Sequence, residues 1–150
     1  MNKFYFSDEE ETKKCPVCGW TLPAESNYCK HCGWLQHTRP SDPDEQYWDY
    51  NFVTRNKARQ LYAAGKPIQP DFNDFLKCMH VYNELEFYCR SKHYGLLHIN
   101  DDTWHFYEWN VMDRGYQIYG SIEEFAEKAN IDGVLLKDLW DDVYDVGTAS

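Results

Sequence analysis

The sequence predicts an α+β chain: a short four-cysteine metal-binding segment, a linking helix, then an antiparallel meander of three to four strands with helices on one face. Three observations carry this. The hexapeptide Cys15-Pro16-Val17-Cys18-Gly19-Trp20 recurs fourteen residues later as Cys29-Lys30-His31-Cys32-Gly33-Trp34. Residues 84–119 change from helical spacing to an alternation of period two. Helix start signals precede the strands at residues 42 and 70 and follow them at residue 121, an order typical of α+β rather than βαβ arrangements.

The elements follow in order. Residues 1–14 read as an extended piece with an acidic leader, and 15–36 as the cysteine segment. Thr38 to Pro43 is a linker into a helix, with Asp42 as N-cap, Pro43 at the first position and Glu45 completing a capping box. This helix is predicted to run to about Ala64, where Gly65 and Pro67 stop it. Pro70-Asp71 opens a second helix with Phe72, Phe75, Leu76 and Met79 on one side. Leu85, Phe87 and Cys89 alternate with polar or exposed positions as a half-buried strand should. Ser91-Lys92-His93 is read as a turn, Tyr94–Ile99 as the second strand, Asn100-Asp101-Asp102 as a turn and Thr103–Trp109 as the third strand. Asn110–Gly115 is a loop, and Tyr116–Tyr119 a short fourth strand. Ser121 and Glu124 frame a helix to Ala129. Asn130 and Gly133 bracket a turn, Leu135, Leu136, Leu139 and Trp140 form a last short helix, and Val146–Ser150 is expected to fray. The expected domains are 1–37, 38–69 and 70–150.

Cys15, Cys18, Cys29 and Cys32 supply the four thiolates of a closed tetrahedral site. The two-residue spacer lets both sulfurs of a pair reach one ion, and a glycine follows each second cysteine where the turn demands positive φ. Amides in such a turn offset the charge on sulfur. The paired CxxCG turns over about residues 13–36 resemble the knuckles of the zinc-ribbon superfamily. The resemblance implies one structural Zn²⁺ and no particular partner or task; the same four thiolates also accept iron. Four thiolates fill the shell and leave no position for a reacting water, so a catalytic zinc is not expected. A segment of this size buries too little apolar surface to fold alone, and the metal is expected to supply much of its folding free energy. Trp20 and Trp34 are expected to pack against the knuckles or the linking helix, with a contact role as the rival reading.

Six Trp, twelve Tyr and eight Phe give a small protein the large rings it needs for a core. Cys78 and Cys89 lie in apolar patterns and are read as core. His98 and His105 are expected to face each other across the second hairpin. No catalytic set stands out, so no enzymatic activity is expected. The net charge is −10. Residues 80–150 hold five Lys/Arg against fourteen Asp/Glu, including Asp138, Asp141, Asp142 and Asp145. Such a surface repels a phosphate backbone. No run reaches the ~18 apolar residues of a membrane span, and the first eleven residues carry no secretory apolar stretch; a cytoplasmic protein with reduced thiols is expected.

A second resemblance covers about residues 71–145. Glu84-Leu85-Glu86-Phe87-Tyr88, Thr103-Trp104-His105-Phe106-Tyr107, Ser121-Ile122-Glu123-Glu124-Phe125 and Ile131-Asp132-Gly133, with Leu136, Leu139, Trp140, Asp141 and Asp142, are similar to a family of short uncharacterised bacterial and phage proteins. That implies a compact α+β domain and a bacterial or phage source, with no activity attached. The expected function is a non-enzymatic protein-interaction module with structural zinc and a protein partner. The alternatives are an acidic inhibitor of the immunity, antitoxin or anti-defence kind that mimics nucleic acid, and nucleic-acid binding through the ribbon by Lys13, Lys14, Lys30 and Arg39 with the two tryptophans.

Overall fold

The computed structural model describes residues 11–35, 51–100, 103–111 and 116–148. The described residues are α+β, with four α-helices, a five-stranded antiparallel sheet and two small two-stranded sheets. The chain divides into two compact units, Met1–Ile68 and Gln69–Ser150.

In the first unit, β1 (Thr12–Lys14) pairs antiparallel with β2 (Thr21–Pro23) across the first cysteine loop. Helix α1 spans Arg55–Ala63. The continuous helix predicted from Pro43 to Ala64 is corrected: Phe52 takes a left-handed φ of 63° and Thr54 is extended, so the chain is interrupted there and α1 starts at Arg55. The Thr54 side chain caps it by accepting from the Lys57 amide at 3.0 Å. The proposed cap at Asp42 lies outside the described residues. The stop holds: Gly65 has φ 71° and its amide donates to the Tyr62 carbonyl.

The second unit opens with α2 (Phe72–Cys78), capped by a reciprocal box in which Asp71 accepts from Asp74 N and Asp74 accepts from Asp71 N. Strands β3 (Glu84–Cys89), β4 (Lys92–Ile99), β5 (Thr103–Glu108) and β6 (Gln117–Tyr119) form the meander. Helix α3 (Ile122–Lys128) follows, capped by Ser121; Glu124 reaches back to the Gly120 amide. Strands β7 (Asn130–Ile131) and β8 (Val134–Leu135) form a tiny hairpin, then α4 (Leu136–Leu139) and a 3₁₀ turn lead into β9 (Val143–Gly147).

Three predicted elements are corrected. The β3–β4 turn is two residues, Arg90-Ser91, both with positive φ, so Lys92 and His93 already belong to the strand. Of the tail expected to fray, Val146 and Gly147 belong to a strand: β9 pairs with β3, and Thr148 Oγ1 donates to the Glu84 carbonyl at 3.0 Å, while residues 149–150 lie outside the described residues. The sheet order is thus β6-β5-β4-β3-β9. Leu135, expected in the last short helix, belongs instead to β8, which pairs with β7 across the turn expected between Asn130 and Gly133.

One sheet face is covered. Phe75 of α2, Phe125 of α3 and Trp140 close over Phe87 and Phe106, with ring centroids 4.9–5.9 Å apart for Phe75–Trp140, Phe75–Phe87, Phe87–Phe106 and Phe106–Phe125. Such pairs add about 0.5–1.5 kcal/mol each beyond their burial. The indole of Trp140 also donates to the Pro70 carbonyl at 2.9 Å, tying the 3₁₀ turn to the start of α2.

Candidate metal centre

The two cysteine loops are built alike. In the first, Cys15 N donates to Trp20 O and Gly19 N to Cys15 O; in the second, Cys29 N donates to Trp34 O and Gly33 N to Cys29 O, all at 2.8–3.0 Å. The glycines turn the chain at φ 80° and 86°, while a Cβ at either would meet nothing within 4 Å. Backbone conformation, not crowding, therefore selects glycine here.

This backbone aims amides at sulfur. Val17 N lies 3.4 Å from Cys15 Sγ, and the His31 amide serves Cys29 at the equivalent position. The Trp20 amide serves Cys18, as the Trp34 amide serves Cys32. Without an ion, burial pushes the Cys18 and Cys32 thiols up against these amides. Burial acts on Cys29 too, but the Cys32 and His31 amides and the neighbouring thiols outweigh it and lower its pKa.

The four sulfurs converge. Cys15 Sγ lies 3.6 Å from Cys32 Sγ, and Cys18 Sγ 3.6 Å from Cys29 Sγ. All four lie within 4.8 Å of one another. A tetrahedron with metal–sulfur bonds of ~2.3 Å has edges of about 3.8 Å, so the cluster fits one zinc ion with little adjustment. A disulfide needs ~2.05 Å, and all six cysteines are free thiols. Among the described residues no other group of three or more His, Cys, Asp or Glu side chains gathers in this way.

The core of the first unit is built around the sulfurs. Cys15, Cys29, Leu22, Trp34, Val53 and Ala58 form one buried cluster, with Val17, Cys18, Cys32 and Ile68 at its margin. Helix α1 contributes Ala58, and its Arg59 Nε donates to the Pro16 carbonyl. Asn51 bonds both the amide and the carbonyl of Leu35, at 2.9 and 2.6 Å.

The repeat breaks symmetry in its last residue. Trp34 is 0% exposed and belongs to the core, as expected; Trp20 is 52% exposed. Trp20 instead stacks on His31, centroids 4.1 Å apart and planes 9° apart, and His31 Nε2 lies 2.9 Å from the Tyr62 hydroxyl. The imidazole thus turns away from the sulfurs.

Cys78 and Cys89 are buried in the second unit, as read from the sequence. Burial first, then the Asp74 carboxylate, pushes Cys78 up to about 12, so it is an inert thiol. His98 and His105 do not face each other: His98 pairs with Trp104 and stacks on it at 4.4 Å, whereas His105 pairs with Leu97 on the opposite face and bonds Tyr116. Asp138, Asp141, Asp142 and Asp145 are exposed, and Asp142 forms an ion pair with Arg90 at 2.9 Å.

A recess of about 200 Å³ that no sequence motif signals is lined by Tyr94, Phe106, Glu108, Gln117, Asn130, Ile131 and Asp132. Burial and then the Glu108 carboxylate, with Cys89 and Asp132 adding less, push the Tyr94 phenol up to about 12. It stays protonated at neutral pH and is no base there.

No protein-family model, curated protein or solved structure matches the chain. The resemblance of residues 71–145 to short bacterial and phage proteins therefore gains no support. No helix among the described residues is long and apolar enough to cross a membrane.

Proposed function

We propose that the four thiolates hold one structural zinc ion in a zinc-ribbon-like pair of knuckles, and that the chain is a non-enzymatic protein-interaction module. The observation that carries this is the convergence of Cys15, Cys18, Cys29 and Cys32 within 4.8 Å. Their thiolates complete a four-coordinate shell, which suits a folding staple rather than a Lewis acid with an open position. A reduced, cytoplasmic setting accords with six free thiols. The three-part organisation into 1–37, 38–69 and 70–150 belongs to the same reading.

Two measurements test it. Elemental analysis of the purified chain should give one zinc and no iron per molecule. Crosslinking in the native host should capture a protein partner. Iron in place of zinc, or a substrate turned over at a rate lost when Glu108 or Asp132 is replaced, would refute the reading. A second reading, inhibition by nucleic-acid mimicry, is favoured by one observation: residues 69–150 hold six Lys/Arg against sixteen Asp/Glu, so this unit carries the whole net charge of −10. It predicts a complex that weakens with salt and with reversal of Asp138, Asp141 and Asp142.

A further inference from the structure

The sheet face opposite the Phe87–Phe106 core carries an ordered array of rings. Strand register sets it out in rows. Tyr144 of β9, Tyr88 of β3, His93 of β4 and Trp109 after β5 form one row. Their centroids are spaced 5.7, 4.4 and 5.2 Å, with planes 24°, 6° and 15° apart, a near-parallel stack across the sheet. The next row runs from Glu86 over Gly95 to Tyr107, whose ring stacks on Tyr116 at 5.7 Å. A Cβ at Gly95 would stand 2.7 Å from Tyr107 Cζ, so the glycine is the slot in which this ring lies flat. Beyond it lie Glu84, Leu97, His105 and Ile118.

Among the described residues, the helices that pack on the sheet do so on the other face, through Phe75 and Phe125. The outer face is open: Trp109 is 37%, Tyr144 41% and Ile118 57% exposed. Its strand positions carry the carboxylates Glu84 and Glu86 and no Lys or Arg; Glu86 Oε1 is bonded to His93 Nε2 in the neighbouring row, which leaves its second oxygen and Glu84 to face a ligand. Burial first, then Tyr116, Glu84 and Glu86, raises the Tyr107 pKa, which places both carboxylates in electrostatic reach of that hydroxyl.

We infer that this face is a docking surface for an arginine-rich segment of a protein partner, a conclusion that rests on the interaction reading above and names its site and partner chemistry. Guanidinium groups stack on Tyr and Trp rings and pair with carboxylates, and both are present side by side. A bare array of rings would also suit unpaired bases, but the phosphates that accompany them meet a unit of net charge −10. A second copy of the chain meets the same repulsion.

The test uses the zinc-loaded full chain and three labelled probes: an arginine-rich decapeptide, a lysine peptide of equal charge and a ten-nucleotide thymidine strand. Binding is followed by anisotropy at about 50 mM salt, where surface electrostatics are not screened out. Contacts are mapped by amide and indole chemical shifts. The arginine peptide is expected to bind about tenfold tighter than the lysine peptide, with shifts centred on Tyr88, His93, Gly95, Tyr107 and the Trp109 indole. The double variant W109A/Y144A should lose about tenfold while Phe125 signals stay in place, and D138N/D141N should lose less than about threefold. Equal binding of the two peptides, shifts centred on Asp138–Asp142, preference for the thymidine strand, or self-association perturbing the same signals would each overturn the proposal. If these probes fail while host crosslinking still captures a partner, the sheet face falls and the interaction reading survives; if both fail, both fall.

Discussion

Replacing Cys29 by Ser isolates the role of the metal. Cys29 is 1% exposed, accepts from the His31 and Cys32 amides, and sits in the cluster with Trp34, Val53 and Ala58. Apparent binding free energies of structural zinc are about 10–16 kcal/mol, and a quarter of that is about 2.5–4 kcal/mol. Zinc affinity should therefore fall by at least two to three orders of magnitude on the scale of about 1.4 kcal/mol per tenfold. A buried hydroxyl beside two amides that served a thiolate adds to the loss. Competition against a chromophoric chelator measures the affinity. Trp34 emission reports the first unit, because this ring is fully buried only when the knuckles are closed. C78S is the control: it removes a buried thiol from the second unit and should leave zinc binding unchanged. Retention of one zinc at unaltered affinity in C29S would refute the four-thiolate site. Loss of zinc with Trp34 still buried would refute the claim that the metal closes the fold.

Three further outcomes are expected. Zinc uptake at pH 7 should release at least two protons, because burial raises Cys18 and Cys32 and keeps both protonated without metal; a pH indicator in weak buffer counts them, and affinity should fall as pH falls. Trp34→Ala should destabilise the zinc-loaded first unit by about 3–5 kcal/mol, while Trp20→Ala costs under ~1 kcal/mol, since only the former empties core volume; urea unfolding distinguishes them. Gly95→Ala should cost about 1–3 kcal/mol because its methyl meets the Tyr107 ring at 2.7 Å, and Tyr107→Ser should relieve most of that cost in a double-mutant cycle.

The metal segment was legible because its determinants are local. Four sulfurs at fixed spacing, with Gly19 and Gly33 at positive φ, are a covalent pattern that the backbone turns directly into a site. The α2 and α3 caps were readable for the same reason, since Asp71–Asp74 and Ser121–Glu124 act within one turn. What escaped depends on distant partners. Asp145, at φ 55°, and Gly147 make 143–147 a poor strand by propensity, and only the free edge of β3 recruits it. Phe52, at φ 63°, breaks a helix that residue preferences alone would continue. The different fates of Trp20 and Trp34 were hidden because the repeat encodes the loop backbone, whereas burial is decided by α1 and its Ala58. The ring array was partly visible in Thr103–Trp109, yet its continuity needed the register of all five strands.

The position of β9 bears on the order in which the protein takes shape during synthesis. Strand β3 finds its first neighbour at once through the Arg90-Ser91 turn, but its other edge waits for residues 143–147. At ribosomal rates of about 5–20 residues per second, that edge stays unpaired for roughly 3–11 seconds after Cys89 is made. Leu85, Phe87 and Cys89 lie on its apolar side throughout that interval. A nascent chain held at this stage presents the kind of open edge that recruits chaperones or neighbouring chains. The window for misassembly is therefore set by a connection length, and shortening the path between β3 and β9 would narrow it without changing a residue in either strand.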